Sequence, residues 1–199
     1  MRILVVGANG TLGKAIVANL GARHEIVTAG RSSGDRRVDL RDDDSVRSMF
    51  AALGNVDAIV AATGIVHFGA LDDMSAAQFD AGLQDKLLGQ VRLALVGQHH
   101  VGDGGSITLT SGVLGEHPIR LGANATTVNA AIDGFVRAAA CELPRGIRIN
   151  AVSATVFAEA WDAYRDFFPG FEPIPVARAA LAFQRSIEGV RSGHVFKVW

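Results

Sequence analysis

Residues 3–20 read Ile3-Leu4-Val5-Val6-Gly7-Ala8-Asn9-Gly10-Thr11-Leu12-Gly13-Lys14-Ala15-Ile16-Val17-Ala18-Asn19-Leu20. The opening apolar run does not alternate with polar residues, which predicts a strand covered on both faces, as in a parallel sheet. Gly7, Gly10 and Gly13 then lead into helical apolar spacing over residues 11–20. Strand, glycine turn and helix in immediate succession form the start of a βαβ unit.

The rest of the chain continues that alternation. Strands are predicted at residues 24–28, at Val38 (very short), and at 57–62, 106–110, 147–152 and 194–198. Helices are predicted at 43–53, 125–143 and 176–187. A further long helix carries Phe79, Leu83, Leu87, Val91 and Leu95 at spacing four, read as its apolar stripe. Residues 167–175 hold three of the five prolines and several aromatics, a loop suited to covering a pocket. Right-handed crossovers between parallel strands give an α/β fold, a Rossmann-type doubly wound sheet with helices on both faces, in one domain over residues 1–199. The stretch between Thr28 and Val38 is too short for a full crossover helix, so that connection is abbreviated.

Composition narrows the function classes. Of 199 residues 49% are apolar and 20% charged, with a net charge of -1, which excludes a disordered chain and argues against nucleic acid as a partner. The 23 glycines imply tight turns and close backbone approaches. The lone Cys141 excludes a disulfide framework and a cysteine-built zinc site; it points to a cytoplasmic location and reads as a core residue among alanines. No stretch approaches the roughly 18 apolar residues of a membrane span, and the apolar run after Met1 is too short for a signal peptide. The histidines lack paired ligand spacing, so no metal is expected.

Glycines between a first strand and helix let backbone N–H groups approach a pyrophosphate at the helix N-terminus, where the helix dipole favours negative charge. Gly7, Asn9, Gly10, Thr11, Leu12 and Gly13 are therefore candidate dinucleotide-binding residues. An acid at the end of the second strand grips a ribose 2'-hydroxyl, whereas an arginine accommodates a 2'-phosphate. Here Ala29-Gly30-Arg31-Ser32-Ser33 offers Arg31 and the serine hydroxyls, which favours NADP(H) over NAD(H).

Further motifs in the same order resemble those of the short-chain dehydrogenase/reductase family along almost the whole chain. Val38-Asp39-Leu40 resembles the family's adenine-contacting segment, and Ala61-Ala62-Thr63-Gly64 resembles its Asn-Asn-Ala-Gly element. Asn129-Ala130-Ala131-Ile132-Asp133-Gly134-Phe135, Arg145-Gly146-Ile147-Arg148-Ile149-Asn150 and Ala151-Val152-Ser153 resemble the active-site helix and sixth strand. The resemblance implies an oxidoreductase moving hydride between nicotinamide and a small carbonyl or alcohol. It adds Asp39, Leu40, Ala62, Thr63, Gly64 and the backbone at Val156 as cofactor contacts. It also implies a homodimer or homotetramer through the helices beginning near Phe79 and Ala125, whose outer faces carry Ala131, Ala138 and Ala140.

The family's catalytic set departs sharply. Its tyrosine falls on Ala125, its lysine on Asn129, its asparagine on Lys86, and its serine on Gly112 with Ser111 one residue away. Alanine has no titratable proton, so the standard proton donor is missing. Lys86 and Asn129 look like an exchange of the family's asparagine and lysine between facing helices, which would keep a cation near the reacting groups. Ser111 is a candidate to orient a carbonyl, and His67 and His117 are candidate proton donors, with Tyr164 and Glu159 as others. Three classes stay open: a reductase with a nonstandard proton donor, a catalytically inactive cofactor-binding regulator, and a structural subunit.

Overall fold

The computed structural model describes residues 1–199, and the apolar run quoted above is an inner strand of its sheet. In β1 (Arg2–Val6), Ile3, Leu4 and Val5 have no exposed surface, and the strand pairs in parallel with β2 (Glu25–Gly30) and β4 (Val56–Ala61). With β3 (Arg36–Arg37), β5 (Val101–Thr110), β6 (Arg148–Ala154) and β7 (Val195–Val198) the order is β3-β2-β1-β4-β5-β6-β7, seven strands. Every pairing in the sheet is parallel.

Side chains alternate across this sheet. Leu4, Val6, Ile59, Leu109 and Ile149 face a core shared with α2 (Asp43–Leu53), α4 (Gly89–Gly97) and α5 (Ala123–Ala139). Ile3, Val5, Val60, Val152 and Phe196 face a second core under α1 (Thr11–Leu20) and α7 (Val176–Glu188). Burial on both faces explains the unalternating apolar runs. The switch in winding lies between β1 and β4, where an open α/β sheet presents its ligand crevice. No helix is long and apolar enough to cross a membrane.

Three expectations about elements need correction. The third strand is Arg36–Arg37, not Val38, whose buried side chain packs just beyond it. The abbreviated connection before it is a loop drawn back onto β2 by Asp35, whose carboxylate accepts from the Thr28 amide at 2.9 Å and hydroxyl at 2.7 Å. The long helix from residue 76 is α3 (Ala76–Gly82), a π-helical turn (Leu83–Leu88) and α4, and its stripe is only in part the buried face, with Leu83 and Leu87 half-buried against the core. Leu95 is 52% exposed, whereas Gly82, Lys86, Gln90 and Leu93 point inward. Finally, α5 stops at Ala139, short of residue 143, so Cys141 lies in a turn and is exposed, not part of the core.

A short helix α6 (Trp161–Tyr164) and the proline-rich loop close over the C-terminal edge of the sheet. Toward the opposite edge, where β6 begins, the end of α7 is tied down by buried polar contacts: the Ser186 hydroxyl meets Thr108 Oγ1 at 2.7 Å and accepts from Asn150 Nδ2 at 3.1 Å. Arg148 donates to the Ser186 and Ile187 carbonyls at 2.7 and 2.9 Å, satisfying acceptors that the helix end leaves open.

Candidate active site

Two cavities lie along the C-terminal edge of the sheet. The first, about 280 Å³, is bordered by the β1–α1 turn, the end of β2 and the segment after β4. Gly7 has φ +85, and a Cβ there would lie 2.4 Å from the Ala62 carbonyl oxygen, so only glycine permits this turn beside β4. A Cβ on Gly13 would lie 2.1 Å from the Gly7 oxygen; this glycine serves helix-to-strand packing and does not line the cavity. Gly10, at the cavity wall, precedes α1, whose first turn has no side-chain cap and no acidic residue. Its N–H groups are therefore open to an anion, and the glycine cradle fits a dinucleotide pyrophosphate.

Asn9 lines this cavity and donates to the Ser33 hydroxyl, while Thr11 and Ser32 are exposed and outside the lining. Ser33, not Ser32, is thus the loop serine at the cavity. Arg31, Asp39, Leu40, Ala62 and Thr63 also line it. The Asp39 carboxylate accepts from Arg41 Nε at 2.9 Å and Nη2 at 2.6 Å, and this pairing pulls its pKa down to about 2. Val38, from the segment that resembles the adenine contact, also lines the cavity, whereas Arg41 and the cavity-lining Asp85 escaped sequence reasoning; Asp85 accepts from the Ile65 amide at 2.7 Å, bracing the loop after β4.

The second cavity, about 260 Å³, lies over the ends of β5 and β6. Its walls are mainly apolar, with Val66, Phe68, Val113, Leu114, Phe157 and Phe168 among them. Lys86, Ser111, Asn129 and Thr155 supply polar groups, and Leu12 and Val156 also border it. Ala125, buried on α5, leaves open the space a larger side chain would fill.

Lys86 is carried into this cavity by the π-helical turn, in which the Gly89 amide reaches back to the Gln84 carbonyl. The residue is 9% exposed, so it does not snorkel to the helix surface. Its Nζ donates to Asn129 Oδ1 at 2.7 Å and the Ser111 carbonyl at 3.3 Å. Burial pushes its pKa down to about 8, with the Asp133 carboxylate acting in the opposite direction. Gly64, at φ +135, rests against the lysine stem: a Cβ there would lie 2.3 Å from Lys86 Cγ. Gly64 thus shapes the lysine site and is absent from the lining of the first cavity. Gln90 supports the opposite side, donating to the Lys86 and Thr110 carbonyls and accepting from the Thr110 amide.

Thr155 Oγ1 is buried and has no hydrogen-bond partner in the protein, while the buried Ser111 hydroxyl faces the Asp133 carboxyl. An unpaired hydroxyl bordering a mainly apolar cavity is a group for a polar ligand atom to satisfy. Asp133, one helical turn beyond Asn129, has its carboxyl pushed up by burial, with the Ser111 hydroxyl, Arg137 and Lys86 opposing.

The remaining proton-donor candidates are placed elsewhere. The His67 ring lies against Gly69, and its backbone amide donates to Asn124 Oδ1 at 2.9 Å; Val66 and Phe68, not His67, line the cavity. His117 packs edge-on against Trp199 at 5.9 Å, outside the lining. Glu159 accepts from the Val176 amide at 3.0 Å and caps α7. Tyr164 does border the cavity, with its ring edge-on to Phe68 at 6.1 Å. Asn124, missed by sequence reasoning, joins the loop after β4 to α3 by donating to the Phe79 carbonyl at 2.7 Å.

A glycine-lined crevice beside a buried polar cluster at the strand ends, at the switch in winding, defines a nucleotide-binding α/β protein of the Rossmann class. The family model described as "Enoyl-(Acyl carrier protein) reductase" matches residues 7–190, and the chain belongs to the short-chain dehydrogenase/reductase family of oxidoreductases, which bind a nicotinamide cofactor. It is similar to the protein lin1944 from Listeria innocua, with TM-score 0.98 and 44% identity over 100% of both chains. A small-chain dehydrogenase in complex with NADPH has TM-score 0.89 and 25% identity over 100% of this chain and 96% of that one. The versicolorin reductase stcU of Emericella nidulans is 29% identical over 75% of this chain and 66% of the relative. The chain spans from 34% to 66% of the length of the first curated relatives it matches.

Proposed function

We propose that this protein is an NADP(H)-dependent reductase of a small, largely apolar carbonyl compound, working without the family's tyrosine. The observation that carries this reading is the adjacency of two features on one sheet edge: the Gly7–Gly10 cradle and the cavity into which Lys86 projects. Gly7, Asn9, Gly10 and the first turn of α1 would hold the pyrophosphate, Asp39 and Leu40 the adenine end, and Val156 the carboxamide end. Arg31 and Ser33 would take the 2'-phosphate, which favours NADPH over NADH. NADPH supplies a hydride when bound.

The chain's own groups bind and orient the acceptor. Apolar walls exclude water and take the substrate body, and the unpaired Thr155 hydroxyl, with the Ser111 hydroxyl beside Asp133, would orient its oxygen. Asn129 holds Lys86 in place, and the cation stabilises negative charge developing on that oxygen.

A homodimer or homotetramer through α4 and α5 is part of this reading, supported by exposed Leu95 beside a groove that includes Phe135 and Ala138. A cytoplasmic location and a single domain over residues 1–199 complete it, the former supported by the lone free cysteine.

Calorimetric titration of nucleotide-free protein with NADPH and NADH tests the cofactor assignment. Arg31→Ala is expected to weaken NADPH binding by about 10- to 100-fold and leave NADH affinity unchanged. Equal losses for both nucleotides would remove the 2'-phosphate role from Arg31, and no binding of either would overturn the enzyme reading.

A further inference from the structure

We propose that the Lys86 ammonium protonates the substrate oxygen, the task for which the family uses a tyrosine hydroxyl; this rests on the reductase reading above. Lys86 is buried, borders the cavity, and leans on Asn129 and the Ser111 carbonyl through two of its donors. An ammonium has three N–H donors, so one is left for a ligand oxygen in the cavity. The π-helical turn gives this group its inward direction, and Gly64 clears a channel for its stem. Such turns inside α-helices are frequent at functional sites. Ala125 leaves room for the substrate where a catalytic tyrosine would otherwise stand.

The balance is simple. The carbonyl carbon gains hydride as NADPH is oxidised to NADP+, the carbonyl π bond becomes an oxygen lone pair, and that oxygen takes a proton from Lys86 Nζ. The N–H bond breaks, an O–H bond forms, and Lys86 remains as a neutral amine until water entering the cavity returns a proton. Burial brings its pKa to about 8, close to an operating pH at which a general acid is both protonated and willing to donate. Asp133 on α5 is the charged group acting on it; the segments after β4 and β5 present uncharged Gly64 and Ser111, and Asp85 is turned to the Ile65 amide.

The chain has three lysines, Lys14, Lys86 and Lys197, so isotope-labelled lysine reports each side chain by NMR. A resonance missing in Lys86→Met should titrate near 8, and its midpoint should fall in Asp133→Asn, which removes the opposing carboxylate. With phenanthrene-9,10-dione as carbonyl probe, Lys86→Met should lower kcat by about 100- to 10,000-fold while NADPH affinity stays within about threefold. Methylammonium should restore part of the rate to Lys86→Ala, a response that a purely structural lysine would not give.

Four results would overturn the proposal: a Lys86 midpoint at the ordinary lysine value, an unchanged kcat in Lys86→Met, loss of the alkaline limb of the pH profile only in Tyr164→Phe, or no turnover of the probe by wild-type protein that binds NADPH. The last leaves the cofactor assignment standing. Failure to bind NADPH at all defeats the underlying reading instead.

Discussion

Lys86 and Gly64 illustrate how one backbone position sets the chemistry of another. The lysine stem occupies the space beside Gly64 where any other residue would place a Cβ, 2.3 Å from Lys86 Cγ and 2.7 Å from its Cβ. Gly64 also has φ +135, a conformation that L side chains rarely adopt. Gly64→Ala should therefore destabilise the fold by about 1–3 kcal/mol and displace Lys86 from Asn129. Urea unfolding of the single variants and of Gly64→Ala/Lys86→Ala checks this. The two substitutions should be partly non-additive, because truncating the lysine removes the contacts with its Cγ and Cδ and leaves the 2.7 Å approach to its Cβ and the backbone strain; full additivity would show that the lysine stem and a residue 64 side chain do not compete for this space.

At the scale of elements, α7 matters to the site because Ala179 and Phe183 form part of the cavity wall. Besides the Arg148 bonds to its last turn, the helix is held to β5 and β6 by a buried hydroxyl, Ser186 Oγ, shared between Thr108 and Asn150. All three residues are buried, so losing that hydroxyl leaves polar partners without replacement by water. Ser186→Ala should cost about 1–3 kcal/mol in denaturant unfolding. A cost near zero would mean that the remaining contacts of Asn150, to the Arg191 carbonyl and the His194 amide, suffice to hold the helix. The π-helical turn is the other decisive element: it turns Lys86 and Gln90 toward the sheet and leaves Leu95 outside.

For the molecule as a whole, burying an ammonium makes stability depend on pH. Lys86 has its pKa lowered from 10.5 to about 8 in the fold. Between those values the unfolded chain holds a proton that the folded chain has released, so unfolding free energy rises with pH across that window. Below it, the full penalty of burying the charge is present. Lys86→Met should accordingly be more stable than the wild type at pH 7, by about 1–3 kcal/mol, with the advantage shrinking as pH climbs toward 10.5. Thermal unfolding of both proteins at several pH values reads this directly, and parallel curves would contradict a perturbed Lys86. A residue retained at a cost to stability is what a site with a chemical task looks like.

The sequence by itself determined the doubly wound sheet, the glycine turn and the family, because these rest on local properties. Apolar periodicity reports which faces are covered, and Gly7 at positive φ is a demand of a single turn. It also singled out Lys86 and Asn129 as an exchanged pair, through their positions in ordered motifs. Only the tertiary structure decided that these two side chains meet at 2.7 Å, that Ser33 and not Ser32 borders the first cavity, and that His67, His117 and Glu159 are engaged elsewhere. It likewise exposed Cys141 and left Leu95, at the end of the Phe79 to Leu95 stripe, outside the core, while Leu83 and Leu87 stay half-buried against it. The physical reason is helix phase: one residue is about 100° of rotation, so a π-helical turn or a helix end a few residues early redirects every side chain beyond it, and spacing alone carries no record of where that happens.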